Sequence, residues 1–386
     1  MVVAVFVKTA FILFVVIGVL APIITWVERK QSALMQNRIG ANRASVAGMT
    51  FIGLLHPAAD VIKLLVKEDV VPAGANRVLH LLAPVMAAVP AIIAFAVIPF
   101  GGSYHFGETT IELVVANLDW GLLYIFAIGS LAAYGPILAG WASNSGWSFL
   151  GSLRASAQML SYEVTLGFSV VGVFMVFQTL RLTDMAIAQD TTFRAFAFVE
   201  GLFGLTLPAS LGWISALRLP NWGIFLQPLA FVLFLTAIMA ENKRPPFDTP
   251  EGESEIVAGY HTEYSGMRFG LFYMSEFIGV VVIAGLITTI FFGGWSVPYL
   301  SQEMIIAGVG HFFGVGFATG FCMLVHFVSF MLKLAAMIWL QMALRWTLPR
   351  FRYDQVMNLC WKILLPLSLA NILVTGAVIL ALEGAA

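Results

Sequence analysis

Charge is what this sequence has least of. Of its 386 residues only 11% are Asp, Glu, Lys or Arg, 20 basic against 21 acidic, and the formal net charge is −1. No basic arm or aromatic-basic pattern is left to meet a nucleic acid, so none is expected as a partner. Cysteine is almost missing too. Cys322 and Cys360 stand far apart, one within an apolar stretch and one at the start of another, which excludes a disulfide framework, an iron-sulfur cluster and a cysteine zinc site on this chain. The six histidines, at 56, 80, 105, 261, 311 and 326, show no HxxxH spacing, so a zinc or haem site would need single ligands gathered by folding. There is no Walker motif or nucleophile elbow. Gly308, Gly310, Gly314, Gly316 and Gly320 follow no strand and form no dinucleotide fingerprint; their GxxxG spacings read as small-residue helix contacts.

What the chain has instead is oil. Hydrophobic residues make up 60% of it and the mean hydropathy is +0.91. Apolar runs of about 20 residues recur, each long enough to cross a hydrocarbon core of about 30 Å, which predicts an all-α polytopic membrane protein and excludes a β-barrel. The stretch from Thr9 to Val27 is full length, lacks a clear small-residue cleavage site and stops at Glu28-Arg29-Lys30, so it reads as a retained first span. Eight spans are expected, near 6–27, 78–100, 120–142, 155–177, 222–240, 267–293, 318–344 and 360–382. Two further apolar pieces, 196–217 and 304–316, read as interfacial or re-entrant.

The basic residues orient this single transmembrane domain. With the N-terminus outside, the connections at 28–77, 143–154, 241–268 and 345–362 share a face and hold seven, one, three and four Lys or Arg, 15 of the 20. By the positive-inside rule that face is cytoplasmic.

Three loops on it, 28–77, 241–266 and 345–360, carry the chemistry. In the first, HPAADVIKLLVKED places Pro57 at a helix start and sets Asp60, Lys63 and Lys67 opposite Ile62 and Leu65, which predicts an amphipathic in-plane or docking helix, against plain snorkelling at the membrane surface. The second loop is acidic. Residues 241–263 and nearby Glu276 hold seven of the 21 carboxylates. Crowded at a membrane boundary, carboxylates have raised and spread pKa values, as a proton path or charge-sensing switch requires. A purely structural account makes Thr249 an N-cap with Pro250 at N1, so that Glu251, Glu253 and Glu255 serve the helix dipole. It leaves Asp248, Glu241 and Glu263 unexplained, and sets Glu251 and Glu255 at i, i+4, where like charges repel. Within the spans, Glu163, Glu276 and Lys333 are costly to bury, which points to a bundle interior and a path.

The segments ERKQSALMQNRIGAN, KLLVKED, WASNSGWSFLGSLRASAQMLSYEV, AENKRPPFDTPEGESEIVAGYHTEYSGM and LRWTLPRFRYDQVMNLCWKILLPL together resemble the H, or subunit 1, family of membrane subunits of proton-pumping NADH:quinone oxidoreductase, respiratory complex I. The resemblance runs in order from about residue 20 to 375. It implies an eight-helix subunit of a bacterial plasma (inner) membrane, or an equivalent energy-transducing membrane, where membrane arm meets hydrophilic arm. Its loops would help form the tunnel for ubiquinone or menaquinone. FMN and iron-sulfur clusters would lie on partner subunits, none on this chain; the other membrane and hydrophilic-arm subunits, quinone and membrane lipids are the implied partners.

By that resemblance the quinone-cavity and junction motifs fall on Glu28, Arg29, Lys30, Gln36, Arg38, Asn42, Asp60, Lys63, Lys67, Arg345, Arg350, Arg352 and Asp354. The acidic funnel that links quinone chemistry to proton channels falls on Glu163, Glu241, Asp248, Glu251, Glu253, Glu255 and Glu276. Two departures stand out. Ala41 occupies a usual proline position, and residues about 190–218 look like an insertion, so Glu200 takes no family role. Two alternatives share some of these features. A membrane subunit of an energy-converting hydrogenase or related dehydrogenase would keep the acidic loop, but the RYDQ and ERK segments favour the quinone enzyme. A stand-alone ion-coupled transporter would show inverted repeats and matched broken helices, and no such repeat is found.

Overall fold

The computed structural model describes residues 2–107, 109–194 and 218–385. The apolar piece at 196–217, Glu200 and most of the expected insertion lie outside them, as does the side chain of Glu253.

Helices occupy all eight expected positions. Six of them, Arg77–Val97, Gly121–Ala142, Gly146–Phe177, Gly266–Phe291, Val315–Thr347 and Tyr353–Leu382, are long and apolar enough to cross a membrane. The N-terminal one runs from Val2–Leu13 through a π-helical Phe14–Leu20 into Ala21–Met35. The remaining one is interrupted. A short Gly223–Leu226 helix ends at Gln227, whose φ of −136° and ψ of 60° break the helix before Pro228–Glu241. At about 1.5 Å per residue its 14 residues reach only about 21 Å. The buried Gln227 side chain is held at the break by Thr375 and Asn371 of the last helix, at 2.8 and 3.1 Å. This is an all-α polytopic membrane protein.

Its centre is the Gly266–Phe291 helix, buried almost continuously from Phe277 to Phe291. That helix packs against Arg77–Ala94 on one side and Val315–Thr347 on another, while Gly146–Phe177 joins Pro228–Glu241 to the last helix. Lys333, expected to need a partner inside the bundle, finds three. Its Nζ donates to the carbonyls of Phe292 (2.7 Å), Gly294 (3.1 Å) and Ser296 (2.6 Å), capping the chain where Gly266–Phe291 ends, with the Trp222 ring 4.8 Å away. These carbonyls follow directly on the C-terminus of a helix, where a cation is favoured.

The 304–316 piece, expected as interfacial or re-entrant, is a helical hairpin. Gln302–Phe313 turns at Gly314, whose φ is +84°, and packs back on the start of Val315–Thr347. Gly314 therefore serves the turn, and a Cβ on Gly310 would meet Ala318, while one on Gly316 or Gly320 would meet no described atom of this chain. Among the described residues there are also two small antiparallel ribbons. Ser103–Phe106 pairs with Thr109–Glu112, and Thr192–Arg194 pairs with Arg218–Pro220.

Candidate functional site

Three helices and a loop bring charges together in the bundle. Glu28 comes from Ala21–Met35, Arg244 from the loop after Pro228–Glu241, Glu276 from within Gly266–Phe291, and Arg345 from the end of Val315–Thr347. Glu28 is 6% exposed and Arg244 8%. Arg345 Nη1 binds Glu28 Oε1, Arg244 Nη1 donates to Glu28 Oε2 at 3.3 Å, and Arg244 Nε lies 3.9 Å from Glu276 Oε2. The Phe277 ring backs the Arg244 guanidinium at 4.3 Å. Burying such charges is tolerable only because each carboxylate meets a cation. A cavity of about 20 Å³ beside Glu28, Asn242, Arg244, Gln341 and Arg345 is large enough for one water.

From Glu276 the chain of polar groups continues. One ligand atom each of Glu251, His261 and Glu276 lies within 4.8 Å of the others. His261 Nε2 is 3.0 Å from Glu251 and 3.9 Å from Glu276, the Tyr260 hydroxyl donates to Glu251 at 2.6 Å, and Lys243 donates to that hydroxyl at 2.7 Å. Burial pushes the Glu251 carboxyl up, but the charge and hydrogen bond of His261, with Lys243 behind, hold it below the usual carboxylate value. Tyr260, fully buried beside these carboxylates, is held well above the usual phenol value, so it passes hydrogen bonds without ionising.

A glycine makes this turn possible. Gly259 has φ +56°, and a Cβ there would collide with the Pro250 carbonyl, while one on Gly151 of the long Gly146–Phe177 helix would collide with Gly259 itself. The two glycines let the loop lie directly on the helix. Gln158, fully buried, secures it by donating to the carbonyls of Ala240 (2.8 Å) and Phe247 (2.7 Å) and accepting from Thr249 Oγ1 (2.5 Å). Thr249 is therefore no N-cap. The helix in this loop is only Glu253–Ile256, preceded by Gly252, because the Thr249 hydroxyl is committed to Gln158. Glu251 and Glu255 accordingly share no helix face: Glu251 points into the buried cluster, while exposed Glu255 pairs with Arg154.

The third charged loop closes over the second. Arg350 donates to Asp248 Oδ2 at 2.7 Å, Phe351 N donates to the Pro246 carbonyl at 3.0 Å, and the Phe351 and Phe247 rings sit 5.5 Å apart. Asp248 Oδ1 is buried without a hydrogen-bond partner among the described residues. Burial first, then the charge of Glu251, raise the Asp248 carboxyl to about 7 against the pull of Arg350 and Arg345.

On the far side of Glu276 lies a cavity of about 120 Å³, lined among others by Gly129, Glu241, Asn242, Lys243, Ser275 and Glu276. At about 30 Å³ per water it has room for roughly four. Glu163 accepts from Ser130, next to Gly129, and acts electrostatically on Glu241. Glu241 and Glu276 thus border one largely apolar cavity, and Glu163 is bonded to Ser130, next to the lining residue Gly129.

A separate cleft of about 460 Å³ opens between the first helix and the His56–Val66 helix, lined by Gly18, Val19, Pro22, Ile23, Leu54, Pro57, Ala58, Val61 and Ile62. It is apolar throughout. On the same two helices, outside the cleft lining, Arg29 binds Asp60, with Lys63 Nζ 4.0 Å from the same carboxylate. Pro57 stands at the helix start as expected. Lys67 does not share the Asp60 and Lys63 face, because the helix ends at Val66 and Lys67 is already extended.

Several expected residues stay outside these clusters. Lys30 donates to the Ile39 carbonyl, Arg38 bonds Gln36 and Arg352 pairs with Asp354, all locally at the surface, and Asn42 is exposed. Conversely, Lys243, Arg244, Tyr260, His261 and Gln158 hold the centre of the network without having been singled out. Lys243, Arg244, Tyr260 and His261 lie inside the acidic window; a search for every titratable group in that window, rather than carboxylates alone, would have found them. Gln158 had no such signal.

A helical membrane bundle that buries a continuous run of paired charges at one end is the class of protein defined by this fold and site. The family described as NADH dehydrogenase matches residues 7–376. Among its relatives are the H-type subunits of NADH-quinone oxidoreductase. The chain is 45% identical over 373 residues to the first of these in Geobacter metallireducens, covering 97% of this chain and 95% of the relative. It is also 40% identical over 381 residues to the H-type subunit of Bdellovibrio bacteriovorus, covering 95% and 94%, and 42% identical over 367 residues to that of Thermomicrobium roseum, covering 95% and 93%. The chain belongs to this family of NADH-quinone oxidoreductase membrane subunits.

Proposed function

We propose that this chain is the subunit of proton-translocating NADH:quinone oxidoreductase that houses the approach of the quinone and passes its redox chemistry on as charge. The observation that carries this reading is Arg244, one buried guanidinium touching both Glu28 on the quinone side and Glu276 on the carboxylate side. The apolar cleft suits an isoprenoid tail of ubiquinone or menaquinone, and the Arg29–Asp60 pair on the same two helices suits a polar head group. Two distant cysteines supply no cluster, so FMN and iron-sulfur centres belong to partner subunits of the hydrophilic arm.

Quinone reduction draws protons. A proton taken near Glu28 changes the charge facing Arg244, and the guanidinium, always protonated, then shifts its attraction between Glu28 and Glu276. That biases which of Glu276, His261 and Glu251 holds a proton, because two carboxylates this close do not both ionise readily. The waters that fit between Glu276 and Glu241 extend the route towards Glu163. The crowding of basic residues into these loops supports a site on the cytoplasmic face of a bacterial plasma membrane.

The test is Arg244→Lys in the intact complex in sealed vesicles. NADH:quinone turnover that persists with a lowered ratio of protons moved per quinone reduced is expected; an unchanged ratio overturns the coupling role.

A further inference from the structure

The loop between the first helix and the cleft helix is fastened by one imidazole. His56 opens the His56–Val66 helix, and its Nε2 accepts from two successive backbone amides, Arg43 N at 3.1 Å and Ala44 N at 3.3 Å. A ring nitrogen accepts only through its lone pair, so both contacts need Nε2 free of a proton. The loop is also held by Lys30 to the Ile39 carbonyl, Arg38 N to the Ala33 carbonyl, Trp26 to the Ile52 carbonyl, a Val46–Met49 bridge and the close packing of Gly53 on the Ala41 carbonyl. Residues 43–44 sit between them, and His56 is what joins these residues to the helix.

We infer that His56 is a positioning residue for the quinone: its neutral ring latches residues 43–44 onto the helix whose Pro57, Ala58 and Val61 line the cleft, and protonation unlatches them. This rests on reading the cleft as the quinone's approach. A proton on Nε2 turns the acceptor into a donor facing two donors, so both bonds are lost together. The charged groups on the elements that meet here are engaged elsewhere or point out. Asp60 is held by Arg29 and Lys63, Arg38 by Gln36 and Lys30 by Ile39, while Arg43 is exposed.

The experiment uses the intact complex with a short-chain ubiquinone analogue, measuring KM and kcat across pH. His56→Leu removes the acceptor, and a rise of about tenfold in quinone KM, equal to about 1.4 kcal/mol, is expected with little change in kcat. His56→Gln keeps an acceptor oxygen but cannot titrate. It is expected to restore a low KM and to lack the rise in KM that the latch predicts for the wild type on acidification. A wild-type KM in His56→Leu, or the same acid-side rise in His56→Gln, overturns the latch. If Leu fails to assemble, the Gln pH profile decides alone. Val61→Trp, which fills the cleft, separates the two readings: a raised KM there with His56 variants silent removes only the latch, whereas an unchanged KM removes the cleft as the quinone's approach.

Discussion

Arg244 lies 3.3 Å from Glu28 and, through its other nitrogen, 3.9 Å from Glu276. No other cation in the described structure touches both of these carboxylates, so the two clusters share one charge. Arg244→Met should leave two buried carboxylates facing each other, at a cost of about 3–5 kcal/mol for breaking a buried pair. Lower yield of assembled complex on native gels checks this, and full assembly would show that Arg345 alone suffices for Glu28.

Buried and surface carboxylates should separate in function. Glu163→Gln and Glu276→Gln keep shape and hydrogen bonding while removing a titrating group, and proton translocation in reconstituted vesicles should fall at least about tenfold, the effect of about 1.4 kcal/mol. Glu255→Gln breaks only the partly exposed pair with Arg154, which contributes at most about 1 kcal/mol. Near-normal pumping is expected, although the sequence alone grouped Glu255 with the others.

Asp248 should make stability fall as the pH rises. Its folded-state value of about 7, against 3.8 ordinarily, means the folded protein holds a proton that the unfolded chain releases. Its stabilising contribution is therefore complete below about 4 and lost as pH rises towards 7, at no more than about 1.4 kcal/mol per pH unit. Thermal unfolding of the complex between pH 5 and 8 should show a slope that Asp248→Asn flattens. Equal slopes would place the proton elsewhere.

Lys333 should act through the fold. Lys333→Met would strip the carbonyls of Phe292 and Gly294 of their donor, while Ser296 keeps Ser329 Oγ at 3.3 Å, costing about 1–3 kcal/mol per group left unsatisfied. A lower melting temperature with an unchanged ratio of protons to electrons is expected. A changed ratio at normal stability would assign Lys333 to the path.

The sequence by itself determined the class and the material of the site. Long apolar runs must bury their backbone polar groups as helices in lipid, so the eight helix positions were legible from hydropathy alone, and the acidic window stood out because charge is scarce everywhere else. Length still misled in one place: the fifth helix is interrupted at Gln227, where its neighbour, the last helix, holds the side chain, while the 304–316 piece, not expected to span, folds back at Gly314. Only tertiary structure decided which charges meet. Thr249 was free to cap a helix until Gln158, 91 residues away, claimed its hydroxyl. Glu251 and Glu255, four residues apart, part company because Gly259 and Gly151 let the loop lie flat and turn one inward. Arg244 acquires its role from Glu28, 216 residues distant. Local patterns report which groups must be buried or exposed, but pairing among buried charges is set by distances across helices, and no spacing along the chain encodes those.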